Sequence, residues 1–431
     1  MTGEDVLELH IHGGPATVKA VLSAIPRCVS NDQVRYAEPG EFTRRAFQND
    51  KLDLAQVEAL SDILSAETEQ QRRAAVRGNS KELGRTYEAW REQLLYARGE
   101  LEALIDFSED QHFDESPSEL LSSVASQVES ILIRISQHQA ASCCGELLKR
   151  GIRISLLGPP NVGKSSLLNQ LVGREASIVS QEAGTTRDVV EVSLDVQGYL
   201  CTFADTAGLR TNVPRSIGTE ATSSIGAIEQ EGIRRAKAKA SESDVVIALA
   251  SVEPTDTDGG WSVVYDLETL TIASRAAQCL VVINKCDSVT SEALSRLVAD
   301  FRQTTSPLFE QNVSILTISC RDAQTCRGAN KSGNIHQFVN ELVNVFEIMT
   351  SLPPELEDLL GVTERQTQLL SVCSSHLTAF IDEARPNNSE RESDIVISAE
   401  HLRAAANALS RITGRGHAGD VEEVLGVVFE K

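Results

Sequence analysis

Two kinds of apolar spacing divide the chain. Between residues 151 and 346, short apolar runs alternate with helix-spaced apolar positions. On either side, helix spacing dominates. Ile152, Ile154, Leu156 and Leu157 predict a buried strand, and Leu167, Leu168 and Leu171 predict one face of the helix after it. Leu280 to Ile283 and Val313 to Ile318 read as two more buried strands. Val189 to Val196, a Gln197-Gly198 turn and Tyr199 to Ala204 read as a hairpin. Leu83, Tyr87, Trp90, Leu94, Leu101 and Leu104 recur at helix spacing within a largely helical stretch from Phe42 to Phe107. Further helices are predicted from about Glu119 to Lys149, Glu364 to Phe380, Ala399 to Leu409 and Asp420 to Phe429. Val6 to Tyr36 reads as strand, glycine turn, helix and strand, with His10 and His12 at the first turn.

Polar or proline-bearing breaks fall at 108–118, at Pro353-Pro354 and at 386–394. With the element pattern above, they divide the chain into an N-terminal α+β region over 1–52, helical segments over 53–150 and 347–431, and an α/β domain over 151–346. The helical segments form either one domain with the α/β domain inserted or two separate helical units.

The strand ends of the α/β region carry the chemistry. Gly158 to Ser166, GPPNVGKSS, fits G-x-x-x-x-G-K-[ST] with Gly158, Gly163, Lys164 and Ser165 at the fixed positions. Such a loop turns its N–H groups onto a phosphate. Lys164 adds a mobile charge for the β/γ-phosphates, and Ser165 offers a hydroxyl to Mg²⁺. Asn161, Val162 and Ser166 complete the loop. Asp205-Thr206-Ala207-Gly208 follows an apolar run, as an Asp behind Mg²⁺ would. Between them, Gly184-Thr185-Thr186-Arg187-Asp188 offers a Thr to Mg²⁺ when a γ-phosphate is present, a role given to Thr186. Asn284-Lys285-Cys286-Asp287 ends another strand, and its Asp can take both guanine N–H groups, which adenine does not offer. Ser319-Cys320 ends the next strand and closes over the base. In this order, on strand ends, these segments mark a P-loop GTPase domain binding GTP.

Composition narrows the rest. A chain of 431 residues holds two to three domains. Its net charge of −22 argues against a general nucleic-acid coat but leaves room for a local basic groove. No apolar stretch is long enough to cross a bilayer. Nine scattered cysteines without C-x-x-C spacing indicate reduced thiols, so Asn387-Asn388-Ser389 reads as a plain loop rather than a glycosylation site. His10 and His12 lack a ligand cluster, which favours packing or hydrogen bonding over a metal site. Arg72, Arg73, Arg77, Lys81 and Arg85 form a basic helical stretch. It either meets RNA phosphates or is a solvated face paired with Glu67, Glu69 and Glu82.

Four longer segments, Thr2 to Pro15, Ala37 to Leu60, Asp205 to Arg210 and Ile412 to Lys431, make the chain similar to the MnmE/TrmE family of tRNA-modification GTPases. The resemblance covers nearly the whole chain. It implies a multidomain α/β plus α fold: a Ras-like P-loop GTPase domain inserted into a helical domain and preceded by a partial α+β folate-binding and dimerisation domain. It also implies a homodimer, a flavoprotein partner of the MnmG/GidA type and tRNA as substrate. Together the partners add a carboxymethylaminomethyl-type or taurinomethyl-type group to a wobble uridine, with a tetrahydrofolate derivative as one-carbon donor. An alternative is a regulatory or assembly GTPase without RNA chemistry. Relative to the family, the first half of the folate domain and a Cys-bearing tail are expected beyond the ends of this chain. The segment Glu229 to Ala236 and the Ser319-Cys320 pair look more like eukaryotic members, which implies a mitochondrion rather than a bacterial cytoplasm.

Ras-like domains place a water-orienting Gln just after D-x-x-G, and here that position is Leu209. The resemblance implies a carboxylate further along instead, with potassium in place of an arginine finger. Glu229 takes that catalytic role, with Glu231 as the local rival. Asn161, Ser180, Glu182 and Thr185 are implied as potassium ligands, in a site formed as two GTPase domains dock. Glu8 and Lys51 match the folate contacts.

Overall fold

The computed structural model describes residues 2–28, 34–107, 117–172, 176–180, 192–204, 238, 240–255, 260–309, 313–325, 333–385 and 393–414. The chain divides into two compact units. One comprises residues 66–73 and 146–352, the other residues 1–65, 74–145 and 353–431.

The first unit is built on an eight-stranded mixed sheet. Its strands are β1 (Ile152–Leu157), β2 (Ala176–Ser180), β3 (Val192–Val196), β4 (Tyr199–Ala204), β5 (Val245–Pro254), β6 (Trp261–Val264), β7 (Gln278–Asn284) and β8 (Ile315–Thr317). The order is β2-β3-β4-β1-β5-β7-β8, with β6 beside β5. Pairings from β4 through β1, β5 and β7 to β8 are parallel, and β2-β3, β3-β4 and β5-β6 are antiparallel. The residue pattern explains the division. β5 buries every residue from Val245 to Val252, as a strand covered on both faces must. β3 and β4 alternate instead, burying Val192, Leu194 and Val196 against Tyr199, Cys201 and Phe203. Gln197 and Gly198, at φ 50° and 92°, make the tight turn between them with both central residues left-handed.

The helices of this unit are α7 (Lys164–Gln170), α8 (Leu267–Ala273), α9 (Ser291–Thr305), α10 (Cys320–Thr325) and α11 (Ile335–Thr350). In α11, Phe338, Val339, Leu342, Val345 and Phe346 form one buried face. The Phe346 ring lies 5.5 Å from that of Tyr199. That face carries the unit to residue 352, past the expected limit at 346. At its other end, Gln71 Nε2 donates to Lys149 O at 2.9 Å and Gln70 N donates to Gly198 O at 3.1 Å. These bonds bring 66–73 and 146–150 into the sheet unit, where the sequence placed them with the helices.

The second unit is helical: α1 (Pro15–Ala24), α2 (Glu41–Gln48), α3 (Leu54–Ser65), α5 (Lys81–Phe107), α6 (Pro117–Arg150, assigned here to residue 145), α12 (Glu364–Ala384) and α13 (Ile395–Thr413). α4 (Glu69–Gly78) contributes its second half. The helix-spaced residues of α5 are all buried, with Tyr87 and Leu101 fully enclosed. Val124, Val128 and Ile135 of α6 and Leu402, Ala405 and Leu409 of α13 are buried too, and the Tyr87 and Trp90 rings of α5 meet His138 of α6. Thr363 and Gln366 form a reciprocal capping box at the start of α12, and Asp394 caps α13 through Val396 N and Ile397 N.

Two expectations fail here. No strand forms at Val6 to Ile11 or at 34–36, and Leu7 and Leu9 are exposed. The alternation is strand-like, yet a strand exists only as half of a ladder, and none of the described residues pairs with it. The α+β reading of 1–52 is therefore not what the described residues show. Nor is the basic stretch one helix: Asn79 and Ser80 separate α4 from α5. Arg72 and Arg73 pair with Glu69, Arg77 with Glu357 and Arg85 with Glu82, which is the solvated, paired reading.

Candidate nucleotide site

β1 ends at Leu157, and the chain turns through Gly158 to Gly163 into α7. Gly158 has φ 150° and Gly163 φ 99°, conformations that favour glycine. Space demands it as well. A side chain at Gly158 would collide with Leu249 O of β5, and one at Gly163 with Asn284 Nδ2 of β7. Asn161 is left-handed at φ 64° and exposed on the rim, while Val162 is buried beneath it. Lys164 Nζ donates to Gly158 O at 2.7 Å and Pro159 O at 2.9 Å, spanning the loop. Ser165 and Ser166 sit half-buried in the first turn of α7. The loop thus gathers backbone N–H groups, the Lys164 ammonium and the Ser165 and Ser166 hydroxyls at the end of β1, the donor set a polyphosphate needs.

Asn284, 3% exposed at the end of β7, ties this loop to the far side of the site. Its Nδ2 donates to Val162 O at 2.8 Å, and its Oδ1 accepts from Cys320 N at 3.2 Å. Ser319 Oγ donates to Asp287 Oδ1 at 2.7 Å and accepts from Asp322 N at 3.0 Å. The sequence-predicted residues Val162, Asn284, Asp287, Ser319 and Cys320 therefore form one hydrogen-bonded arc. Burial pushes the Cys320 thiol up to about 11 and Cys286 to about 12, so both stand neutral beside the site. Lys285, at φ 63°, places Nζ 2.8 Å from Glu253 Oε1, an oxygen that also accepts from Ser251 Oγ at 2.9 Å. Lys285 lowers the Glu253 carboxyl below the usual range, with Ser251 assisting. No motif marks Glu253. Its one sequence signal is its place at the end of the long apolar run that becomes β5.

Ser180 ends β2, and only its backbone is described. Glu182, Thr185, Thr186, Asp205, Thr206, Ala207, Gly208, Leu209, Glu229 and Glu231 lie outside the described residues, as does the helix expected at 420–429. Glu8 is exposed and stands 3.7 Å from His10, whose side chain is 90% exposed. His12 is exposed too, so of the packing or hydrogen-bonding role expected of the two histidines the packing part is absent. Lys51 lines a separate cleft, and Glu8 is not part of its wall. Eight cysteines are described and all are free. Among the described residues, no three His, Cys, Asp or Glu side chains gather to hold a metal, and no helix is long and apolar enough to cross a membrane.

Known proteins extend this picture. Residues 54–431 match the MnmE helical domain, and residues 1–51 match the N-terminus of GTP-binding protein TrmE. The tRNA modification GTPase MnmE of Parvibaculum lavamentivorans is 38% identical over 428 residues, which is 99% of this chain and 82% of the relative. The mitochondrial tRNA modification GTPase mss1 of Schizosaccharomyces pombe is 35% identical over 437 residues, 100% of this chain and 80% of the relative. The human mitochondrial 5-taurinomethyluridine-[tRNA] synthase subunit GTPB3 is 34% identical over 433 residues, 100% and 77% respectively. Among solved structures, Era bound to MgGDPNP and ribosomal RNA overlaps at a TM-score of 0.28 with 19% identity, covering 64% of this chain and 97% of its own, too loose a likeness to define the fold.

Proposed function

The chain belongs to the MnmE/TrmE family of tRNA-modification GTPases, and on that premise we propose that it hydrolyses GTP to drive modification of a tRNA wobble uridine. The observation that carries the GTP assignment is the arc from Val162 through Asn284 to Cys320, with Asp287 beside it. Phosphates lie in the loop before α7. The base lies between Asp287, which takes its paired N–H groups, and the Ser319-Cys320 segment. Lys285 flanks the nucleotide. Ser165 and Thr186, with Asp205 behind them, would hold Mg²⁺, which neutralises charge on the β/γ-phosphates.

Leu209 has no group to orient water, so Glu229 takes that role as the catalytic residue. Asn161, Ser180, Glu182 and Thr185 would hold K⁺, which supplies the positive charge an arginine finger gives elsewhere. In this reading two copies of the chain dock their GTPase domains to complete that site. The GTPase domain is an insertion in the helical domain. Residues 1–52 belong to a folate-binding and dimerisation domain, where Glu8 and Lys51 contact a tetrahydrofolate derivative. A MnmG/GidA-type flavoprotein is the partner, and the added group is of the carboxymethylaminomethyl or taurinomethyl type. The likeness of 229–236 and of Ser319-Cys320 to eukaryotic members supports a mitochondrial location over a bacterial cytoplasm.

GTP hydrolysis measured in potassium and in sodium buffer tests the ion. Faster turnover in potassium is expected, and equal rates sink the proposed site. For the base, Asp287→Asn should move preference from guanine toward xanthine nucleotides. Unchanged GTP affinity in that variant overturns the assignment of Asp287.

A further inference from the structure

The segment that closes over the base is held from behind by a turn that no nucleotide motif contains. β8 ends at Thr317, and the chain runs through Ile318 and Ser319 into α10. Every polar group of Ser319 is engaged. Its Oγ donates to Asp287 Oδ1 at 2.7 Å and accepts from Asp322 N at 3.0 Å. Its carbonyl accepts from Ala323 N at 3.2 Å, and its N–H donates to Gly333 O at 2.9 Å. The last of these bonds leaves the motif and joins Ser319 to the turn that opens α11.

Gly333 and Asn334 make that turn, both left-handed, at φ 56° and 59°. Glycine enters this region freely and asparagine more readily than most residues, whereas a β-branched side chain is strained there. Space repeats the demand at Gly333, since a Cβ there would collide with Ser319 O. Asn334 adds a side-chain bond, its Nδ2 donating to Thr317 O at 3.1 Å. Directly after it, Ile335 and Phe338 of α11 are buried, and Phe338 N donates to Asn334 O at 3.1 Å. The turn is therefore anchored by a helix rooted in the core, and on its other side it holds Thr317 and Ser319.

We propose that Gly333 and Asn334 are positioning residues for guanine recognition: their left-handed backbone sets Ser319, and Ser319 sets the Asp287 carboxylate. The proposal rests on the GTP reading given above, in which Asp287 takes the paired N–H groups of the base. A carboxylate receives such a pair only when its plane is held in place. Asp287 takes that constraint from Ser319 Oγ, and Ser319 takes its own from Gly333 O. Neither Gly333 nor Asn334 belongs to the phosphate loop, so their effect falls on the choice of base.

The test compares GDP with inosine 5′-diphosphate on the full chain, by titration calorimetry. Inosine keeps the ring N–H of guanine and lacks its amino group, so the ratio of the two affinities reports the second N–H contact of Asp287. The unaltered chain should prefer GDP by about tenfold or more, as a hydrogen bond to a charged acceptor provides. Gly333→Ala, which pushes Ser319 aside, should cut that ratio about fivefold. Asn334→Val, strained at a left-handed position, should do the same, whereas Asn334→Gly keeps the backbone and should hold the ratio within about twofold. A loss of folded protein lowers both affinities by one factor and leaves their ratio in place, so the ratio separates positioning from stability. Circular dichroism checks folding, and Asn334→Val decides the matter if Gly333→Ala does not fold, with Asn334→Ala in reserve. A full GDP preference in the folded variants overturns the proposal. Equal losses in Asn334→Gly and Asn334→Val overturn the backbone role of Asn334, since only its bond to Thr317 would then count. An unaltered chain that binds the two nucleotides alike removes the reading of Asp287 itself, a failure distinct from that of the turn.

Discussion

Lys285 reaches its place by two routes: a left-handed backbone that aims it across the strand ends, and a carboxylate 2.8 Å from its ammonium. Both side chains of that ion pair are about a third exposed, so the pair is worth no more than about 1 kcal/mol. Glu253→Gln should therefore weaken GTP and GDP binding by about fivefold or less, with base preference unchanged, as measured by fluorescent-nucleotide titration. Affinity equal to that of the unaltered chain would mean that the backbone alone orients Lys285. Residues such as Glu253 escape a sequence reading for a plain reason. Gly158, Gly163 and Lys164 are recognisable because one short loop must carry them all, and spacing along the chain is then spacing in space. Glu253 meets Lys285 across 32 residues, through the pairing of β5 with β7, and no local pattern records that meeting.

Helix α3 is joined to α12 by one buried carboxylate. Glu58 accepts from Thr363 Oγ1 at 3.1 Å, from Gln366 Nε2 at 2.9 Å and from Arg365 Nε. Arg365 in turn donates to Arg411 O and Ile412 O at the end of α13. Arg365→Ala leaves that carboxylate short of its cation and uncaps α13, and should cost about 3 kcal/mol in denaturant unfolding of the helical unit. Adding Glu58→Gln should recover part of the loss; no recovery would show that Arg365 acts through packing alone. A second element-scale device joins α5 to α6. Tyr87 Oη lies 3.3 Å from His138 Nδ1, with the Trp90 ring 4.8 Å from the imidazole, and burial lowers the His138 pKa to about 4. The folded state thus holds His138 neutral, and the unfolded state titrates near 6.5. Its contribution is fully present above about pH 6.5 and is lost as pH falls toward 4, at up to about 1.4 kcal/mol per unit. His138→Phe should flatten the fall in urea midpoint over that window; an unchanged slope would assign the pH dependence to other groups. These helices were legible because buried faces of α5, α6, α12 and α13 repeat at helix spacing. The strand read at Val6 was not realised, because alternation specifies a face and pairing needs a partner. The boundary at 150 moved because Gln70 binds Gly198 and Gln71 binds Lys149, partners that sequence order keeps apart.

At the scale of the whole molecule, each unit has its own core. One gathers around Val246, Ala248, Val281 and Ile283 of the sheet, the other around Tyr87, Leu94, Leu377 and Leu402 of the helices. A net charge of −22 also disfavours a broad contact with RNA, so any RNA contact must be local. Separate cores make nucleotide binding a selective stabiliser. The phosphate loop, Asn284 and Asp287 all belong to the sheet unit, so GDP binds a state that only this unit's unfolding destroys. At a GDP concentration about a hundredfold above its Kd, linkage adds roughly 2.7 kcal/mol to that unit. For a unit of this size the midpoint should rise by about 5–10 °C. Scanning calorimetry of the full chain should accordingly show two transitions, of which GDP raises one and leaves the other in place. Asp287→Asn should remove that response to GDP while leaving both transitions. A single transition that moves as a whole with GDP would mean that the two cores unfold cooperatively, and nucleotide binding would then stabilise the helical unit to the same degree.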